Sequence, residues 1–184
     1  MANVPLTDGV VADASRGDRD AMRQVYLCLA GPVLGYLQAK GVRDAEEVTS
    51  EVFLAVIPRL PQVTGGANGL RRLVFTIAHA RMVDHYRERG RTGEVSEYQP
   101  HQDKRVEPPA EDVALSRIST PAVIEALALL PDDQRDVIAL RFVADLSLEQ
   151  VAAIIGRSEG AVKQLQRRGL NTVRDALRSG RVTL

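Results

Sequence analysis

The stretch LSLEQVAAIIGRSEGAVKQLQRRGLNTVRDAL, Leu146 to Leu177, decides the fold class. Ser147 followed three residues later by Gln150 is a capping-box signature, in which each side chain satisfies a free backbone N–H of the other. It opens a short amphipathic helix, Leu148 to Ile155. Gly156 ends that helix, because glycine enters the left-handed region without steric cost. Ser158 caps a longer helix whose apolar positions are Val162, Leu165, Leu170, Val173 and Leu177. Two helices joined by a tight Gly156-Arg157 turn have the helix-turn-helix layout.

Working outward, helical spacing continues upstream. Thr120 or Pro121 starts a helix that ends at Leu130, and Asp132 or Asp133 caps the next, through Val137, Ile138, Leu140 and Val143. From Gly90 to Ser119 the character changes. Gly90, Gly93, Pro100, Pro108 and Pro109 fall among charged residues with few apolar ones, the composition of a flexible linker, within which the stretch around Asp112 to Ile118 is compatible with helix. Before it, Asp18 to Lys40 forms one helix with Pro32 inside it and Gly41 as its stop. Asp44 caps a second helix that ends near Pro58 or Leu60, with Val48, Val52, Ala55 and Val56 inward. Gly65, Gly66 and Gly69 mark a loop, and a third helix runs from about Leu70 to Arg89 on a stripe of Leu73, Val74, Ile77, Ala78 and Val83. No alternating stretch suggests a sheet. The expectation is an all-α chain of two small helical domains, residues 1–89 and 120–184, joined by a linker over 90–119.

The 184 residues are 45% hydrophobic and 26% charged, the balance of a globular protein, with a formal net charge of +0. That neutrality conceals segregation. Arg71 to Arg91 carries six arginines against Asp84 and Glu88, and Arg157 to Arg181 carries six arginines and Lys163 against Glu159 and Asp175. Asp44 to Glu51 holds four acids and no base. The one cysteine, Cys28, excludes an intrachain disulfide and fits a reducing cytoplasm. Met1 to Gly9 lacks the features of a secretory signal, and no apolar run approaches the roughly 20 residues of a membrane span, so a cytoplasmic chain without membrane insertion is expected.

In a helix-turn-helix the second helix enters the major groove and its N-terminal residues face base edges. Here those are Ser158, Glu159, Lys163, Gln164 and Arg167, side chains suited to guanine, adenine and cytosine edges. Arg157 and Arg168 are placed to anchor phosphates. On the Leu70 to Arg89 helix, Arg71, Arg72, Arg81, Arg87 and Arg89 can neutralise a nucleic-acid backbone. Phe75, His79, His85 and Tyr86 offer flat surfaces of the kind on which unpaired bases stack, although Phe75 and Tyr86 suit a core equally well.

These residues resemble a known family. Asp44-Ala45-Glu46-Glu47-Val48-Thr49-Ser50-Glu51-Val52-Phe53-Leu54 is similar to the core-polymerase-binding helix of bacterial sigma factors of the extracytoplasmic-function (ECF) group of the sigma-70 family. Leu70 to Arg81, followed by Asp84-His85-Tyr86-Arg87, is similar to their melting and −10-recognition helix. Leu129-Leu130-Pro131, Gln134-Arg135 and Ile138 to Arg141 resemble the start of their second domain, and Gly160-Ala161-Val162-Lys163 the opening of their −35-reading helix. The likeness runs from about Val11 to Leu177 in the family's order. It departs at Leu73, Ala80, Ser50 and Leu165, where the family often has Trp nearby, Asn, Gln and Arg.

The resemblance implies a sigma-2-like bundle and a sigma-4-like helix-turn-helix domain acting with bacterial core RNA polymerase and promoter DNA. It implies that Asp44, Glu47, Glu51 and Leu54 meet the clamp of the largest subunit and that the second domain meets the flap of the second-largest. The loop from Pro61 to Asn68 would catch a −10 base, with Asn68, Arg71, Arg72, His79, Arg81, His85 and Arg87 serving the −10 element and melting. Arg157, Ser158, Glu159, Lys163, Gln164, Arg167 and Arg168 would serve the −35 element. A separate anti-sigma factor is implied, since the chain ends a few residues past the last helix. No cofactor or metal is expected.

An ordinary helix-turn-helix regulator, dimeric on duplex DNA, accounts equally well for the C-terminal half but less well for the acidic helix, glycine segment and basic helix in that order. Catalysis has little support. The carboxylate pairs Asp18/Asp20 and Asp132/Asp133 sit at helix starts, where capping explains them. His79 and His85 are six residues apart, off the spacing that shares a helix face. Gly65-Gly66-Ala67-Asn68-Gly69 lacks the Lys and Ser/Thr of a phosphate loop.

Overall fold

The computed structural model describes residues 5–91 and 121–179. Among these residues every regular element is helical and there is no strand. Helices α1 (Asp8–Ser15), α2 (Arg19–Ala39), α3 (Ala45–Val56) and α4 (Gly66–Arg91) form the N-terminal half, with a 3-10 turn at Ile57–Gln62. Helices α5 (Pro121–Ala128), α6 (Asp132–Ile138), α7 (Leu148–Ile155) and α8 (Glu159–Arg178) form the C-terminal half, with a π turn at Ala139–Val143 continuing α6. Of the linker expected over 90–119, residues 90 and 91 belong to α4 and the remainder, including Asp112 to Ile118, lies outside the described residues.

The caps explain most of the boundaries. Asp18 accepts from Ala21 N at 2.7 Å to open α2, and Gly41 at φ 76° follows its end. Pro32 lies buried inside α2 without breaking it. The Ser147–Gln150 box is formed in both directions, at 2.8 and 3.1 Å, Gly156 is left-handed at φ 66°, and Ser158 accepts from Ala161 N at 3.3 Å.

Three expected boundaries are corrected. Asp44 precedes α3 but makes no side-chain cap, because its φ of −97° and ψ of 47° are not the extended geometry that aims a cap at the helix. Neither Asp132 nor Asp133 caps α6; Pro131 does so by position, leaving both acids in the first turn, where they favour the positive end of the helix. The glycine segment is not a loop throughout. Gly66 and Gly69 lie inside α4, so helix starts four residues earlier than the apolar stripe suggested.

The core is contiguous across both halves. Leu29, Val33, Tyr36 and Leu37 of α2 meet Val52 and Val56 of α3 and Leu70, Val74, Phe75 and Ala78 of α4, all essentially inaccessible to solvent. Phe75 is therefore a core residue, 6.0 Å from Tyr36 in an edge-to-face pair, and not a surface for bases. Expected core residues Leu73, Ile77, Val83 and Ala55 are half-buried at its margin. In the C-terminal half Val137, Leu140, Leu146, Val151 and Val162 close the core. Arg135 ties α5 to α6, donating to the carbonyls of Leu127, Ala128 and Leu130 at 2.8–3.1 Å. The halves also touch: α2 packs against α5 and the π turn, and α4 meets α7.

Candidate nucleic-acid interface

The recognition helix presents what its sequence pattern demands. Val162 and Gly169 face inward, with Leu165, Leu170 and Val173 half-buried beside them. Glu159, Lys163, Gln164, Arg167 and Arg168 line the solvent side. Successive members at three- and four-residue intervals share one helix face, so the polar row is continuous. Leu165, where the resembled family often has Arg, packs against the core instead of facing out.

The angle between α7 and α8 is held by packing and by polar clamps. Gly169 approaches α6 so closely that a β-carbon there would lie 2.8 Å from Ile138 Cγ1. Arg141 donates from Nε to Gln166 Oε1 at 3.2 Å and from a terminal nitrogen to the Leu146 carbonyl, linking the π turn to α8 and to the segment that leads into α7. Arg157 N donates to the Ala152 carbonyl at 3.0 Å, while its guanidinium meets Asp133 Oδ2 at 3.1 Å. Both side chains of that pair are more than half exposed, so Arg157 keeps free surface for a phosphate. An open cleft between α6 and α8 is lined by Asp133, Arg157, Gln164 and Arg168. All seven residues expected to serve the duplex are exposed, Ser158 serving also as cap.

On α4 the expected residues divide. Arg72, Arg81 and Arg87 are exposed, Arg71 and His85 are half-buried, and Asn68 is exposed in the first turn. Arg81 Nε lies 3.9 Å from Glu51 Oε2, and Arg87 lies 3.7 Å from Asp84, exposed pairs of small energetic weight. His79 is half-buried and engaged inside the fold. Its Nδ1 lies 2.8 Å from the Tyr36 hydroxyl, and burial pushes its pKa below the ordinary value. Tyr86, read as a flat surface, keeps a part-exposed ring, but its hydroxyl donates to the Lys40 carbonyl and joins α4 to the end of α2.

The acidic face of α3 is as expected: Asp44, Glu47, Glu51 and Leu54 are all exposed on one side, Leu54 to 71%. Ile57 extends this apolar edge, and Tyr26, edge-on to Phe53 at 4.8 Å, borders it from α2; neither was expected from sequence. Cys28 is half-buried beside α4, and burial raises its thiol pKa against an opposing influence of Arg71. Among the described residues no group of His, Cys, Asp and Glu is placed to hold a metal ion, and no helix is long and apolar enough to cross a membrane.

Two polar contacts have no counterpart in the sequence reading. Lys40 and Asp136, from different halves, form a 3.0 Å ion pair with side chains only 6% and 17% exposed. Asp8 reaches the start of α4, accepting from Ala67 N at 2.8 Å. Neither shows in local sequence, since each pairs with a residue far along the chain.

Comparison with known proteins bears on both halves. Residues 126–175 match the sigma-70 region 4 family. The chain is 31% identical over 176 residues to the ECF RNA polymerase sigma factor SigD of Mycobacterium tuberculosis, covering 92% of this chain and 83% of SigD. It is 30% identical over 166 residues to the ECF RNA polymerase sigma factor BldN of Streptomyces coelicolor, covering 89% of this chain and 63% of BldN. Among solved structures, CnrH in complex with the cytosolic domain of CnrY is similar with a TM-score of 0.62 and 20% identity, over 95% of this chain and 99% of that one, a likeness of fold. The match to SigD runs through the N-terminal half, which an ordinary regulator sharing only a helix-turn-helix would not give. The chain belongs to the ECF RNA polymerase sigma factors.

Proposed function

We propose that the two halves divide promoter recognition between them, residues 1–89 engaging core RNA polymerase and the −10 element and residues 120–184 reading the −35 element as duplex. The exposed row Glu159, Lys163, Gln164, Arg167 on a rigidly set α8 carries this reading. Lys and Arg match guanine acceptors, Gln matches adenine and Glu accepts from cytosine, while Arg157 and Arg168 flank the row as phosphate anchors.

On the N-terminal half, the exposed Arg72, Arg81 and Arg87 of α4 hold the backbone of the −10 strand, together with the half-buried Arg71 and His85. Asn68, exposed in the first turn of α4, stands at the end of the Pro61–Asn68 segment that would take a displaced base. The exposed acids of α3 and Leu54, extended by Ile57, form the surface for the polymerase clamp, and the C-terminal half meets the flap. Charge on such a surface steers association more than it supplies affinity. A separate anti-sigma chain would compete for these same faces, and the protein would work in the cytoplasm, where its polymerase is. The chain's own part is binding and positioning, with no chemical step of its own.

Run-off transcription with purified bacterial core polymerase on a library of promoter fragments tests the reading. Protein-dependent starts at a defined subset are expected. Tight duplex binding by the protein alone, with no starts on adequately sampled promoters, would overturn it.

A further inference from the structure

The two acids that open α6 are neighbours with different partners. Asp132 Oδ1 lies 3.3 Å from Arg135 on its own helix. Asp133 Oδ2 instead crosses to the turn between α7 and α8 and accepts from Arg157 Nη2 at 3.1 Å. Both acids favour the positive end of α6, so that effect does not tell them apart. Their places do. Asp133 is the one acid lining the open cleft of about 330 Å³ that Arg157, Gln164 and Arg168 also line, and Asp132 stands outside it.

An acid in a phosphate-binding cleft works against the ligand. A duplex phosphate arriving at Arg157 meets a carboxylate already on Nη2, and like charges at that range repel. The existing pair is weak, since its side chains are 53% and 58% exposed and one nitrogen meets one oxygen. A phosphate held firmly at the cleft therefore displaces Asp133, whereas one that only passes does not. The reading row makes the difference. Base contacts from Lys163, Gln164 and Arg167 seat α8 and hold a phosphate at the cleft, while a duplex without the right bases leaves Arg157 with Asp133.

We infer that Asp133 is a specificity-determining residue of the C-terminal half: it withholds Arg157 from the phosphates of unread duplex and yields it when base contacts seat α8. The inference rests on the assignment of α8 to duplex reading proposed above. A phosphate contact carries no sequence information by itself, but one made only on the right sequence adds to discrimination. With Asp133 in place, Arg157 counts toward cognate duplex alone. Without it, Arg157 counts toward every duplex.

The test uses the full chain as wild type, Asp133→Asn, Asp132→Asn and Asp133→Asn/Arg157→Ala. Fluorescence anisotropy across a salt series gives affinities for two duplexes. One carries the −35 segment of a promoter that supports starts in the run-off assay, and the other has the same bases in scrambled order. Asp133→Asn should bind the scrambled duplex about fivefold more tightly near about 0.1 M salt. Its slope of log affinity against log salt should steepen by about 0.9, the mark of one more phosphate contact. On the promoter duplex the gain should stay under about twofold with the slope unchanged, so discrimination falls. Asp132→Asn makes the same change of charge outside the cleft and should leave both affinities within about twofold of wild type. In Asp133→Asn/Arg157→Ala the gain on scrambled duplex should vanish, because it needs the released guanidinium. Tighter binding also shows that Asp133→Asn has not misfolded.

An equal gain on both duplexes, or the same gain from Asp132→Asn, would reduce Asp133 to one charge among others and overturn the inference. An unchanged slope on scrambled duplex would overturn it too. If no promoter supports a start, the proposed function fails, while the scrambled duplex alone still decides whether Asp133 restrains Arg157.

Discussion

Asp8 Oδ1 accepts a hydrogen bond from Ala67 N at 2.8 Å, so the first residue of α1 caps a helix that begins far along the chain. The carboxylate lies against Gly66, whose φ is 57° and where a β-carbon would stand 2.1 Å from Oδ1. Replacing Asp8 by Ala removes a cap and should cost about 1 kcal/mol in urea unfolding, with Asp8→Asn retaining most of it. Gly66→Ala should cost more, adding the clash to about 1–2 kcal/mol of left-handed strain. The two changes should be coupled: Asp8→Ala/Gly66→Ala should be less destabilised than the sum, since the first removes the atom the second strikes. Strict additivity would count against this contact.

Arg167 and Arg168 are neighbours with different expected roles, and salt separates them. Arg167→Ala should cost about 1–3 kcal/mol and relax preference at one position of the −35 element. Arg168→Ala should weaken all duplexes alike and reduce the slope of log affinity against log salt by about 0.9. Fluorescence anisotropy across a salt series, on matched and singly substituted duplexes, distinguishes them. Equal loss of preference from both changes would remove the division of labour.

What could be read from the sequence follows how local the physics is. The α7–turn–α8 unit was legible because Ser147, Gln150, Gly156 and Ser158 act within a few residues, and each is found in its expected role. The exposed rows on α3 and α8 were legible for the same reason, helical period fixing which side chains share a face. The start of α4 was misplaced because glycines there suggested a loop, whereas Asp8, distant in sequence, supplies a cap. Phe75 and His79 were grouped by residue type, but only packing against Tyr36 shows the first as core and the second as part of a buried network. Lys40 and Asp136 left no local trace at all, since a buried ion pair is a property of two elements brought together.

Leu54 and Glu51 offer a test free of folding effects. Leu54 is 71% exposed and Glu51 makes only a long, exposed pair with Arg81, so each single change to Ala should shift unfolding by no more than about 0.5 kcal/mol. Loss of the apolar contact at Leu54 should nevertheless reduce capture by immobilised core polymerase, with Ile57→Ala adding to it. Glu51→Ala should act mainly on the association rate and more strongly at low salt. Undiminished capture by Glu51→Ala/Leu54→Ala would move the polymerase surface off α3.

Acid should loosen the docked halves through His79. Burial holds its imidazole below the ordinary value; Asp136 opposes that shift and Lys40 adds to it. The groups facing the ring are Tyr36 and Lys40 from α2 and Asp136 from α6. An opened form exposes the ring, which then titrates near its usual value of about 6.5. Between the lowered value and about 6.5 the opened form binds more protons, so docking is complete above that window and is lost as pH falls through it. The radius of gyration of the wild-type chain should therefore rise between about pH 7.5 and about pH 5.5, while His79→Gln, which has no proton to gain, should respond less. An equal response from both would place the titrating group elsewhere. No response from wild type would show that the imidazole is a bystander to a contact held by the Lys40–Asp136 ion pair.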